Sequence, residues 1–379
     1  NQGVLRLENS TTLLGSLSNG TTLGSNSIAI GHDTTSSSTY TIALGSGAKA
    51  TGTNSVSIGQ NSEAQFLSVA LGNAAKANST SGGNSAVGVA IGSNAKSTNT
   101  AAIAIGSEAA ASGSNSIAMG QQSKASGIYS TAIGMIAKAA GSDSIAIGVR
   151  SDDRGAKGNQ SIAIGLMSNA SADNTTSIGS SARATAEKAT ALSYNSFASG
   201  SNALAIGSDA NAESKTSIAI GNYAHTTNTD ALAIGNGVTA SGESSIAIGS
   251  TAGEATTTAS GEKAIAIGDG AVAKGSAAVA IGNYTEANGY NNIALGNQAC
   301  KGVKGSNKVC IGANSGPKTG AYTTDSVERI FIGSQSKFNG GTSVLEVHNT
   351  DATASFRNYG YGSLSSNACL LYTSPSPRD

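Results

Sequence analysis

The sequence predicts an all-β fold, a single-chain parallel β-roll or β-solenoid of about twenty coils. Three observations predict it: one short motif recurs in phase along the chain, each recurrence holds two runs of period-two alternation, and large side chains are scarce. NSIAIG at 26–31 returns as NSVSIG at 54–59, NSIAMG at 115–120, DSIAIG at 143–148 and SSIAIG at 244–249. The Gly that closes each copy falls at 31, 45, 59, 72, 92, 106, 120, 134, 148, 165 and 179 and, after Ser193 takes its place once, again from Gly207 to Gly333. The usual step is 14 residues, with one of 13 and longer ones of 20, 17, 19, 16 and 21.

Within one unit, Val56 and Ile58 share a face of a first short strand, and Ala48 and Ala50 share a face of a second. Gly59 closes one end and Gly52 to Asn54 the other, residue types that tolerate positive φ in tight turns. No apolar i, i+3, i+4 pattern runs through the unit and Gly recurs too often for a helix. Two strands of this length bury nothing alone, so successive coils must stack and pair. At about 4.8 Å per coil the result is a rod roughly 90–100 Å long. The longer steps, Asn73 to Ala86, Arg150 to Gln160, Gly253 to Lys263 and Ala313 to Val327, read as loops projecting from that rod.

Composition limits the core and the partners. The 379 residues include 50 Gly, five Phe and no Trp, so several wide cores cannot be filled. Net charge is zero and no basic tract or basic face stands out, which argues against nucleic acid or an anionic membrane as partner. No run of about 18 apolar residues is present to cross a membrane as a helix. The three His (His32, His225 and His348) have no metal-ligand spacing, no GxSxG elbow occurs, and GGNSAVG at 82–88 lacks a phosphate-loop Lys. Neither an enzyme nor a cofactor is expected.

The two outward positions of a coil differ in kind. With the aliphatic pair of the first strand taken as inward, the residue between them points outward and is almost always Ala. The column Ala29, Ala43, Ala70, Ala90, Ala104, Ala118, Ala132, Ala146, Ala163, Ala205, Ala219, Ala233 and Ala247, ending near Cys310, then reads as an interface on which copies of the chain pack. The matching second-strand position holds Lys49, Glu63, Lys76, Lys96, Lys124, Lys138 and Arg183, a wet face. On that register Cys300 and Cys310 lie on opposite outer faces, about 10 Å apart, and are expected as two free thiols unless the insert Lys301 to Gly305 bends the coil.

NSIAIG and its variants, with AxAxG about five residues later and a step of fourteen, resemble the head repeats of trimeric autotransporter adhesins of the YadA type over roughly residues 22–333. The resemblance implies a left-handed roll, three chains about a threefold axis, an extracellular or cell-surface setting, and attachment to matrix, a cell surface or a glycan. A phage or virus fibre rod for receptor binding is the alternative. An ice-binding solenoid is disfavoured, because the aligned columns are Ala or Lys rather than Thr. Residues 1–21 read as a cap or partial coils, 22–333 as the roll, and 334–367 as a strand pair around an Asn349 to Asp351 turn. The tail at 368–379, CLLYTSPSPRD from Cys369 onward, resembles a translated sequencing adapter.

Overall fold

The computed structural model describes residues 12–14, 23–78, 87–148, 153–251, 255–303, 305–316, 329–333 and 345–347. It is an all-β parallel solenoid of about 19 turns of about 14 residues. Each turn contributes a three-residue strand such as Ile117–Met119 and a two-residue strand such as Lys124–Ala125. The longer strands form one parallel ladder and the shorter ones another, each residue paired with its counterpart one coil on, as in Ala104↔Ala118↔Ala132 and Ala111↔Ala125↔Ala139.

The motif NSIAIG can be read residue by residue from the coil at 113–120. Asn115 sits at φ 56°, in the left-handed region that Asn tolerates better than most residues. Ser116 is buried, and its hydroxyl donates to the Gly113 carbonyl at 2.6 Å, which satisfies a polar group that would otherwise be costly in a dry interior. Ile117 points out, Ala118 points in and is fully buried, and Met119 points out, 40% exposed. Gly120 then turns the chain at φ 132°.

This facing is the reverse of the sequence expectation for the first strand. Ala29, Ala43, Ala70, Ala90, Ala104, Ala118, Ala132, Ala146, Ala163, Ala205, Ala219, Ala233 and Ala247 are interior residues of their own coil, each fully buried, and offer no surface to another chain. The second strand faces as expected, with Ala48 and Ala50 inward and Lys49 exposed. The core is therefore Ala against Ala, with Ser and Thr at its margins.

The reason is the width of the coil. Where a hydroxyl replaces the inward Ala, it reaches the far wall directly: Ser57 Oγ lies 2.8 Å from Ser62 Oγ, and Ser177 Oγ donates to the Ala182 carbonyl at 2.7 Å. An interior that a serine side chain crosses has no room for two Ile. Val238 is the largest side chain fully buried before the last coils, where Phe331 and Lys308 enter.

The Gly column closes the first strand by stacking backbone on backbone. A Cβ on Gly120 would lie 2.4 Å from the Gly134 carbonyl oxygen, at a φ that L-residues rarely adopt. Gly120→Ala is expected to lower stability by about 3 kcal/mol or more. Ser193 occupies the same column at φ 109°, so Ser193→Gly should raise the melting temperature, the gain being about 1 kcal/mol. Paired thermal melts check both signs.

Register survives the longer steps. Val69 pairs with Val89, Ile145 with Ile162, Ile246 with Ile265, Ile293 with Val309, and Val309 with Ile330. The expected loops are narrower than their bounds, because Gly155–Ala156 and Thr258–Ala259 are second-ladder strands. Their remaining residues, 79–86, 150–152, 253–254 and 317–327, lie outside the described residues. At the ends, Thr12–Leu14 pairs with Ile28–Ile30 and Leu345–Val347 with Ile330–Ile332, so both join the long ladder. The Asn349 to Asp351 turn, His348 and the tail at 368–379 lie outside the described residues.

Cys300 and Cys310 form a disulfide, with Cα atoms 5.6 Å apart and both residues fully buried. The expectation of free thiols fails for two reasons. Cys310 stands at the middle of a first strand, which faces inward. Cys300, at φ 52°, begins a turn closed by Val303 N–H donating to its carbonyl at 3.0 Å, so the insert bends the coil as its exception allowed. Non-reducing peptide mapping should recover the crosslinked pair. Reduction should cost the last coils about 2–3 kcal/mol, read as faster amide exchange around residues 293–311.

Candidate functional site

Turning the first strand over leaves its aliphatic side chains on the outside. Two columns run side by side along the long ladder. One passes through Ile103, Ile117, Thr131, Ile145 and Ile162; the other, through Ile105, Met119, Ile133, Ile147 and Ile164, is aliphatic in every coil. Ile30 is 37%, Leu71 42% and Ile178 39% exposed, partial values because each residue is shielded only by its neighbours in the ladder. Over about 90 Å of rod and the width of a three-residue strand, this is an apolar surface on the order of 700 Å². Single exposed aliphatics are ordinary, but a contiguous band of that size marks an interaction surface.

The opposite wall, formed by the short strands, is polar. Lys76 Nζ lies 3.7 Å from Glu63, and farther along Arg183 stacks over the Phe197 ring, 4.5 Å from its centroid. Beyond that, Glu213 meets His225 at 3.1 Å and accepts from Asn211 at 2.7 Å.

The remaining residues with chemical potential are dispersed. His32 pairs with Asp33 at 3.1 Å, in a turn distant from His225. Among the described residues no three His, Cys, Asp or Glu come together as a metal set. Asp269 accepts from Ser250 at 2.7 Å. Tyr223 is exposed, whereas the Tyr284 ring has Lys301 Nζ 5.6 Å from its centroid.

The described residues thus present two contrasting outer faces, one aliphatic and one polar. Sequence reasoning found both columns but exchanged the roles of the first-strand residues: the never-charged Ala column marked the interior, and the aliphatic columns beside it marked the outer face. The signal was present in the size of the residues, since only the smaller set fits between the walls.

The recurring motif and the solenoid it builds agree with a known repeat. The family model for the YadA head domain repeat matches residues 23–48, 36–62, 88–109, 111–135, 156–182, 170–192, 198–224, 227–252, 259–285 and 273–299, more than half of the chain. No curated protein sequence matches it. Motif, 14-residue coil and family match coincide along the same stretch, and the chain belongs to the YadA head domain repeat family.

Proposed function

We propose that this chain is a non-enzymatic adhesin head at a cell surface, working as a rigid rod of three copies packed along their first-strand faces. The observation that carries the reading is the pair of outward aliphatic columns, which runs with the whole long ladder and is covered by none of the described residues. A self-complementary band on a straight rod is buried most economically by copies in parallel about a closed axis. The threefold number follows from the family to which the repeats belong. With that face inward, the polar second-strand face of each chain points outward, available to matrix, a cell surface or a glycan.

Beads coated with the purified chain should attach to matrix-coated or cell-covered surfaces well above uncoated beads. Attachment no better than the uncoated control, with the rod folded, would remove the adhesive role. A fibre rod from a virion shares the architecture, and no described residue favours it over the adhesin head.

A further inference from the structure

The short-strand ladder carries a segregated charge that the zero net charge of the chain conceals. Its outward column reads Lys49, Glu63, Lys76, Lys96, Ala110, Lys124 and Lys138 over seven consecutive coils, each paired with the next in the ladder. Five cations and one acid therefore stand in line over roughly 30 Å at the spacing of stacked strands. Lys49, Lys96 and Lys124 are exposed, and none has an ion-pair partner among the described residues. The single acid of the column, Glu63, is engaged by Lys76. Past Gly155 the column changes character to Asn169, Arg183, Phe197, Asn211 and His225, so the cationic stretch has an end.

The flanks of this lane are neutral hydrogen-bonding groups. Thr51, Gln65, Thr98, Ser112 and Ser126 follow the short strands on one side. Two acids lie in the adjoining turns of these coils, Glu108, held by the Gln122 amide at 2.9 Å, and the exposed Asp143 beyond Lys138 at the end of the lane. No aromatic side chain interrupts the column from Lys49 to Lys138.

We infer that this lane binds a linear anionic polysaccharide laid along the rod, its sulfate or carboxylate groups on the lysines and its hydroxyls on the flanking Ser, Thr and Gln side chains. A row of like charges on a stiff scaffold attracts an extended polyanion by releasing its counterions, and binding falls steeply with salt. Single-stranded nucleic acid is the other linear polyanion, but its recognition relies on aromatic platforms for the bases, which this column lacks. The inference deepens the adhesin reading by naming a ligand class, and rests on it only in that the lane faces out of the assembly.

The test is retention of the full chain on immobilised heparin, with hyaluronan as the carboxylate-only arm, against Lys49→Gln/Lys96→Gln/Lys124→Gln. The wild type should be retained at about 0.15 M salt and released as salt rises. The triple variant should bind about tenfold or more weakly, while Lys274→Gln, at an exposed residue just past the short strand Val272–Ala273 and outside the lane, should bind as the wild type does. Retention on heparin but not hyaluronan assigns sulfate, and retention on both assigns the anionic sugar chain in general. No retention on either, equal retention of the triple variant, or tighter binding to a single-stranded oligonucleotide would overturn the inference. Circular dichroism confirms that the variant is folded. Cell attachment that survives in the triple variant while heparin retention is lost would separate this ligand from the adhesive role itself.

Discussion

Ala118→Glu should melt the central coils. Ala118 is fully buried between Ala104 and Ala132, in an interior that a serine hydroxyl spans. A glutamate there is too long for the gap and brings an unpaired charge into it, so the cost should exceed about 4 kcal/mol. A solenoid is held by nearest-neighbour contacts, and the damage should spread to adjacent coils before it reaches the ends. Limited proteolysis should cut first between residues 104 and 132, with a loss of β signal in circular dichroism. A soluble, fully folded rod that merely fails to associate would show the Ala column to be an outer face after all.

Ile117→Glu/Ile145→Glu should have the opposite signature. Both side chains point away from the interior, one in the coil of Ala118 and the other two coils on. In an isolated chain the carboxylates would stay in water, and the coils should lose little. In three chains packed on this face, each substituted level would bring three carboxylates together in a dry seam, at several kcal/mol per level. Sedimentation should therefore find the wild type at three times 36.9 kDa and the variant without that species. Lys124→Glu, on the opposite face, should leave the mass unchanged. A variant still sedimenting as three chains would place the seam elsewhere. The two neighbours Ile117 and Ala118 thus separate folding from assembly, with one residue of register between them.

Much of the fold was legible in the chain itself. The recurrence of NSIAIG and its fourteen-residue step required a stacked coil, because two short alternating runs cannot bury anything alone. The Gly at the end of nearly every first strand marked the turn, and its φ near 130° in most coils is the backbone state that only Gly adopts readily. The second strand was also legible, since Lys49 or Lys138 between two Ala leaves no doubt about which side is wet.

The first strand was not legible in the same way. Ile-Ala-Ile alternates perfectly whichever side is buried, and hydrophobicity favours the Ile pair inside. Only the separation of the two walls decides the matter, and that distance arises from turns of one or two left-handed residues that bring the ladders within reach of a serine hydroxyl. The same inversion carried Cys310 inward, and the bend after Cys300 brought the two sulfurs together. The lysines of the charge lane were legible as a wet column, but the zero net charge hid their sum; the ladder sets Lys49 through Lys138 in one line at the spacing of stacked strands. Periodicity along the sequence determined that the chain is a rod with two distinct faces. The thinness of the coil, a property of its closed tertiary path, decided which side chains fill the interior and which remain outside.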